Sequence, residues 1–133
     1  MMKQFLTLLA LIVLTFGCEE GDGITDKTER DQDDLFLEQL YQDIVTLSES
    51  VVCEDPEKWA FTAIGNKGCG GPTGYIAYPT TINVDDFLAQ VTFFSEQQKK
   101  YNEKWGIGST CDVPSEPNGI VCEEGEPVFT YEN

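Results

Sequence analysis

Apolar residues recur at two different periods along this chain, and the changes of period divide it. Between Asp34 and Val52, Leu37, Leu40, Tyr41, Ile44, Leu47 and Val51 fall three or four apart, which places them on one face of a helix. Gln39, Gln42, Asp43, Thr46 and Glu49 take the other face, and Asp55-Pro56 stops the helix after Cys53. The period then falls to two. Trp59, Phe61 and Ala63 alternate with Lys58, Ala60 and Thr62, with Ile64 out of phase; this predicts a strand. Tyr75-Ile76-Ala77-Tyr78 predicts a second strand, closed by Pro79. Between the two lies Cys69-Gly70-Gly71-Pro72-Thr73-Gly74. Gly70 and Gly71 accept positive φ without a steric penalty, and Pro72 fixes its own φ, so a tight turn folds the second strand back antiparallel to the first.

The helical period returns from Val84 to Lys104, where Val84, Phe87, Leu88, Val91, Phe94, Tyr101 and Trp105 trace one side with a polar gap at Gln98. Asn83 is a good N-cap with Asp86 three residues on, Lys99, Lys100 and Lys104 suit the C-terminal dipole, and Gly106 is the expected residue after the last turn. A polar loop over 106–119 carries two prolines. Ile120–Cys122 and Pro127–Tyr131 then predict two strands joined by Glu123-Glu124-Gly125-Glu126. The expected fold is a small disulfide-stapled α+β domain in the order α-β-β-α-β-β. Its four strands are expected in one antiparallel sheet with both helices on one face.

The first residues read differently. Met1-Met2-Lys3, an apolar run from Phe5 to Phe16, and Gly17-Cys18 before Glu19-Glu20 follow the plan of a secretory signal peptide. The cysteine after a small residue makes it a lipoprotein signal, with residues 1–17 removed and Cys18 lipidated, although Thr15 and Phe16 depart from the usual residues before that cysteine. Residues 18–34 are rich in Asp and Glu and poor in apolar side chains, so a disordered acidic tether is expected ahead of a globular domain over 35–133.

Cysteine and charge narrow the chemistry. Cys53, Cys69, Cys111 and Cys122 remain beyond Cys18, an even set that implies two disulfides in an exported chain. They lack the close paired spacing of structural zinc sites, and the chain has no histidine. A sheet that brings the first strand near the C-terminal hairpin pairs Cys53 with Cys122, leaving Cys69 for Cys111. The absence of histidine also removes Ser-His-Asp and Cys-His catalysis. A net charge of −16 argues against binding a phosphate backbone and for solubility or cationic partners. The glycine-rich stretch lacks the Gly-Lys-Ser/Thr ending of a phosphate loop. No metal or cofactor site is expected, and a carboxylate-dependent hydrolase is a distant alternative.

The combination Trp59-x-Phe61, Gly65, Cys69-Gly70-Gly71-Pro72, Gly74-Tyr75, Tyr78, Tyr101-Asn102, Ser109-x-Cys111 and Cys122 resembles small bacterial exported lipoproteins with a Cys-Gly-Gly-Pro signature. The likeness covers residues from Cys53 to Tyr131. It implies export and disulfide bonding and names no activity. The expected function is therefore a non-catalytic binding module, monomeric, anchored by lipid to an outer membrane on its periplasmic or cell-surface side. Nucleic acid is not expected as a partner, whereas a protein is. The alternative is a protease inhibitor using loop 106–119, with Val113, Pro114, Ser115, Glu116 and Pro117 at the contact.

Overall fold

The computed structural model describes residues 22–132, with side chains from residue 26 onward. The signal-peptide segment and Cys18 lie outside the described residues. Helix α1 spans Asp22–Ser48, β1 Trp59–Ile64, β2 Gly74–Pro79, α2 Val84–Trp105, β3 Gly119–Glu123 and β4 Glu126–Thr130. A single 3₁₀ turn, Pro56–Lys58, leads into β1, with the Asp55 carboxylate accepting from Glu57 N–H. The class and the element order are those the sequence predicts.

The sheet is different. β1 pairs with β2 and β3 with β4, each antiparallel, as two separate two-stranded sheets. The single four-stranded sheet expected from the sequence is thereby corrected, and the register gives the reason. Strand side chains alternate between faces. Trp59, Phe61 and Ala63, opposite Pro79, Ala77 and Tyr75, share one face of the first hairpin. Ala60 and Ile64, with Tyr78 and Ile76, share the other. Both faces carry apolar groups, so both must be covered.

The two helices cover one face. Ile64, Ile76 and Tyr78 pack there with Ile44 of α1 and Phe87, Val91 and Phe94 of α2, backed by Leu37, Leu40 and Leu47. The Tyr78 and Phe87 ring centroids are 4.8 Å apart. Ser48, buried at the end of α1, donates to the Ala77 carbonyl at 2.7 Å, so its polar atom is satisfied where the helix meets β2. The second hairpin covers the other face through side chains: Cys53, Trp59 and Ala77 meet Ile120, Cys122 and Phe129, and Phe61 stands edge-on to Phe129 at 5.9 Å. The result is three layers: helices, first hairpin, second hairpin.

A disulfide joins Cys53 to Cys122 across 69 residues. On the chain-entropy account, closing a loop of that length stabilises the fold by about 4 kcal/mol. Cys69 and Cys111 are not bonded; both are exposed thiols. They are nevertheless neighbours around Ser109, whose O–H donates to Cys69 Sγ at 3.3 Å and whose carbonyl accepts from Cys111 Sγ at 4.0 Å. The pairing read from the sequence places them together but the covalent bond is absent.

The acidic segment is also ordered further than its composition suggests. Residues 22–34 are the first half of α1, where carboxylates near a helix N-terminus complement the dipole. The helix docks on the C-terminal turn of α2. Lys104 Nζ lies 2.7 Å from both Glu29 and Asp33. Trp105 Nε1–H donates to Asp33 at 3.0 Å, and Tyr101 O–H donates to Asp34. Arg30 lies 5.8 Å from the centre of the Trp105 ring, a favourable cation–π distance. Tertiary partners on α2 supply the ordering that residues 26–34 lack by themselves. The expected tether therefore does not reach Asp34 as a disordered segment.

The hydrogen bonds from Lys104 and then Trp105 hold the Asp33 carboxyl below its ordinary value of 3.8, and those from Asp33 and Glu29 hold Lys104 above 10.5. A depressed carboxylate contributes stability above its unfolded value and loses it as pH falls through the native one. The raised lysine contributes below 10.5 and loses that contribution as pH rises through its native value. The Trp105 indole N–H resonance should therefore hold steady down to about pH 3.8 and shift only as pH is lowered below it. In Asp33→Asn it should stay fixed over that range. An identical titration in both proteins would show that Asp33 does not hold the helix pair.

Candidate functional site

The glycine turn is built from the polar side of α2. Ser95 Oγ accepts from Gly65 N–H at 2.9 Å, and Gln98 Oε1 accepts from Asn66 N–H at 2.6 Å. Asn102 Nδ2 donates to the Asn66 carbonyl at 2.7 Å. Gln98 is the polar gap in the apolar stripe of α2, and its role is to hold this backbone. Gly70 and Gly71 have φ of 94° and 82°, as a tight turn requires. Pro72 is half-buried beside them, and Gly74 opens β2.

The loop after α2 returns to this turn. Gly106 ends α2 with φ of 60°, and its N–H donates to the Asn102 carbonyl. Gly68 then meets the loop at backbone distance: a Cβ there would stand 2.1 Å from the Ile107 carbonyl oxygen. Only glycine allows that approach. Lys67 Nζ donates to the Asp112 carbonyl at 2.6 Å and pairs with its carboxylate at 3.1 Å. Hydrogen bonds from Thr110 and Lys67 hold the Asp112 carboxyl below its ordinary range. Cys69 N–H donates to Ser109 Oγ at 3.3 Å, which puts Cys69 beside Cys111. At the far end, Asn118 N–H donates to the Thr130 carbonyl at 2.9 Å.

Of the candidate contact residues in this loop, Val113 is 80% exposed, and Ser115 and Glu116 are exposed with it. Pro114 is half-buried and Pro117 is buried. The loop is thus a pinned strap with one presented tip, and Pro117 belongs to the scaffold.

A second surface has no counterpart in the sequence reading. Beyond Ser48 the chain crosses to Cys53, whose N–H donates to the Gly125 carbonyl at 2.7 Å. Gly125 takes φ of 88°, and a Cβ on it would stand 3.1 Å from Val52. The crossing, the first hairpin and the β3–β4 turn enclose a groove of about 610 Å³. Trp59, Tyr75, Ala77 and Phe129 line it together with Val51, Val52 and Pro127, and its carboxylates are Glu49, Glu124 and Glu126. No lysine or arginine is among the described lining residues. Val52 is 64% exposed. The lining comes from four separated segments, so no local sequence pattern announces it; the pair Val51-Val52 just past the helix end is the nearest hint.

A second groove of about 570 Å³ runs between the glycine turn and α2, lined by Thr62, Pro72, Leu88, Ser95, Glu96 and Lys99 among others. It carries both charge signs and no aromatic residue. Among the described residues no group of three or more histidine, cysteine or carboxylate side chains is placed to hold a metal ion. No described helix is long and apolar enough to cross a membrane.

Gly68→Ala should force Ile107 away from the turn. Overpacking of this kind destabilises by about 1–3 kcal/mol, read as a lowered melting temperature with faster amide exchange over residues 107–112. A variant with unchanged melting and exchange would show that the close approach is not needed. No protein family, curated protein or solved structure matches this chain.

Proposed function

We propose that the chain is a non-catalytic exported binding module, monomeric and held on an outer membrane by lipid on Cys18. Its ligand is a basic peptide segment with apolar side chains. The groove beside Val52 carries this reading. It joins an aromatic and aliphatic lining to three carboxylates with no cation among the described lining residues. Small sites of this make-up bind through apolar burial, with charge fixing orientation and choice of partner. A chain of net charge −16 adds long-range attraction for cations. The aromatic rings also accept cations on their faces. The resemblance to small bacterial exported lipoproteins supports display on the outer membrane.

Binding is tested with a short labelled peptide of alternating lysine and leucine, alongside its glutamate–leucine counterpart and an all-lysine peptide, against the full chain. The first should bind, quench Trp59 fluorescence, and weaken as salt is raised. Replacing Glu49 and Glu126 together by lysine should weaken it by about tenfold or more. Equal binding of the all-lysine peptide, or no effect of the double reversal, would refute the groove as the site.

The strap offers a second reading because Val113 is presented on a pinned loop: a protease cleft or other protein surface could take it. Exchanging Val113 to Pro117 for glycine and serine leaves groove binding unchanged on the first reading and abolishes capture on the second.

The anchor is tested separately. Intact-mass analysis of the membrane-associated protein should find a diacylglyceryl adduct at Cys18, and Cys18→Ser should release the chain or block its processing. A mature N-terminus at another residue without lipid would rule the anchor out.

A further inference from the structure

The two cysteine pairs of this domain differ in setting. Cys53, bonded to Cys122, is 3% exposed and packs with Trp59 and Ala77. Cys69 and Cys111 are exposed and unbonded, one on the glycine turn and the other on the strap, and both sulfurs lie against Ser109. Their surroundings are those of reacting thiols. Ser109 O–H donates to Cys69 Sγ at 3.3 Å, and Lys67 reaches the same loop to hold Asp112. Gly70 and Gly71 follow Cys69 and carry no Cβ, and nothing stands within 4 Å of where one would be, so the turn is open at that point.

We propose that Cys69 and Cys111 form a reversible thiol–disulfide site, which locks the strap over residues 107–116 to the glycine turn when oxidised and frees it when reduced. The oxidant is a disulfide, either a small molecule or a protein. Cys69 attacks first as its thiolate, breaking the incoming S–S bond, forming a mixed disulfide and releasing one thiolate. Cys111, deprotonated, then attacks Cys69 Sγ, closing the intramolecular bond and releasing the second thiolate. Two protein thiols are oxidised while one disulfide is reduced to two thiols, and the two protons from the cysteines pass to the released thiolates.

The order follows from the local hydrogen bonds. Those from Cys111 and then Ser109 lower the Cys69 thiol below its ordinary value, aided by the charge of Lys67, whereas Cys69 raises Cys111. The thiolate is the nucleophile, so Cys69 leads and Cys111 resolves. Exposure makes the bond open to exchange, and the burial of Cys53 shields Cys53–Cys122 from it.

The test uses the full chain in glutathione redox buffers of graded composition, with differential alkylation and peptide mass mapping. Cys69–Cys111 should open and close over a range in which Cys53–Cys122 stays bonded. Amide exchange over 107–113 should slow at least about threefold on closure, as a cross-link restricts opening. With oxidised glutathione alone, Cys111→Ser should acquire a mixed disulfide on Cys69. In the reduced full chain, where both thiols are present, limiting iodoacetamide should label Cys69 at least about threefold faster than Cys111. Ser109→Ala should reduce that preference. Simultaneous opening of both pairs, a Cys69–Cys111 bond that stays closed in every buffer in which Cys53–Cys122 stays bonded, or stable mixed disulfides on both thiols without closure would each overturn the proposal. Equal labelling of the two thiols in the reduced full chain would overturn the assignment of Cys69 as the leading thiol.

Discussion

The β1–β2 hairpin is buried on both faces, and the remaining elements are arranged by that constraint. An antiparallel pair usually turns one face to water and reads as a clean alternation. Here Trp59, Phe61 and Ala77 make one apolar face, and Ile64, Ile76 and Tyr78 make the other. One layer of helices satisfies only half of the requirement. The second hairpin must therefore lie flat against the first rather than extend its edge. The Cys53–Cys122 bond fastens it there.

Polar groups, in contrast, decide how the layers end. Ser95, Gln98 and Asn102 lie on one side of α2 and hold the backbone of Gly65 and Asn66, so the hairpin connection is suspended from the helix. Ser48 ties the end of α1 to β2. Lys104 and Trp105 collect the carboxylates of α1 at the other end of the helix pair. Each bond consumes a donor or acceptor that would otherwise compete for water, and each fixes the direction in which a segment leaves the core.

The two surfaces available for function depend on these fastenings in different ways. The groove exists because the chain between Ser48 and Cys53 is drawn against Gly125, leaving Val51 and Val52 over the aromatic face of the first hairpin. The strap exists because Gly68 admits the Ile107 carbonyl and Lys67 reaches Asp112. A rigid scaffold with irregular, anchored segments at its surface is the usual arrangement for recognition. The groove offers an acidic, aromatic environment, whereas the strap offers a presented valine and a pair of thiols.

The sequence by itself determined the elements and several of their ends. Asn83 caps α2 and Gly106 closes it, because both act through bonds within a few residues. The turn at Gly70-Gly71 follows from the same local chemistry. Cys69 and Cys111 were left for one another once Cys53 was assigned to Cys122, although the single sheet behind that assignment is not the one observed. Ile64, out of phase with Trp59 and Phe61, was the one sign that both faces of β1 are apolar. Which partner covers each face was decided only in three dimensions, since alternation specifies a buried face without specifying its cover. The same holds for residues 26–34, whose composition favours solvent until Lys104, Tyr101 and Trp105 stand opposite them. The groove was the least legible feature. Its lining is assembled from four segments distant in sequence, and such convergence is a property of packing, which no period or spacing along the chain encodes.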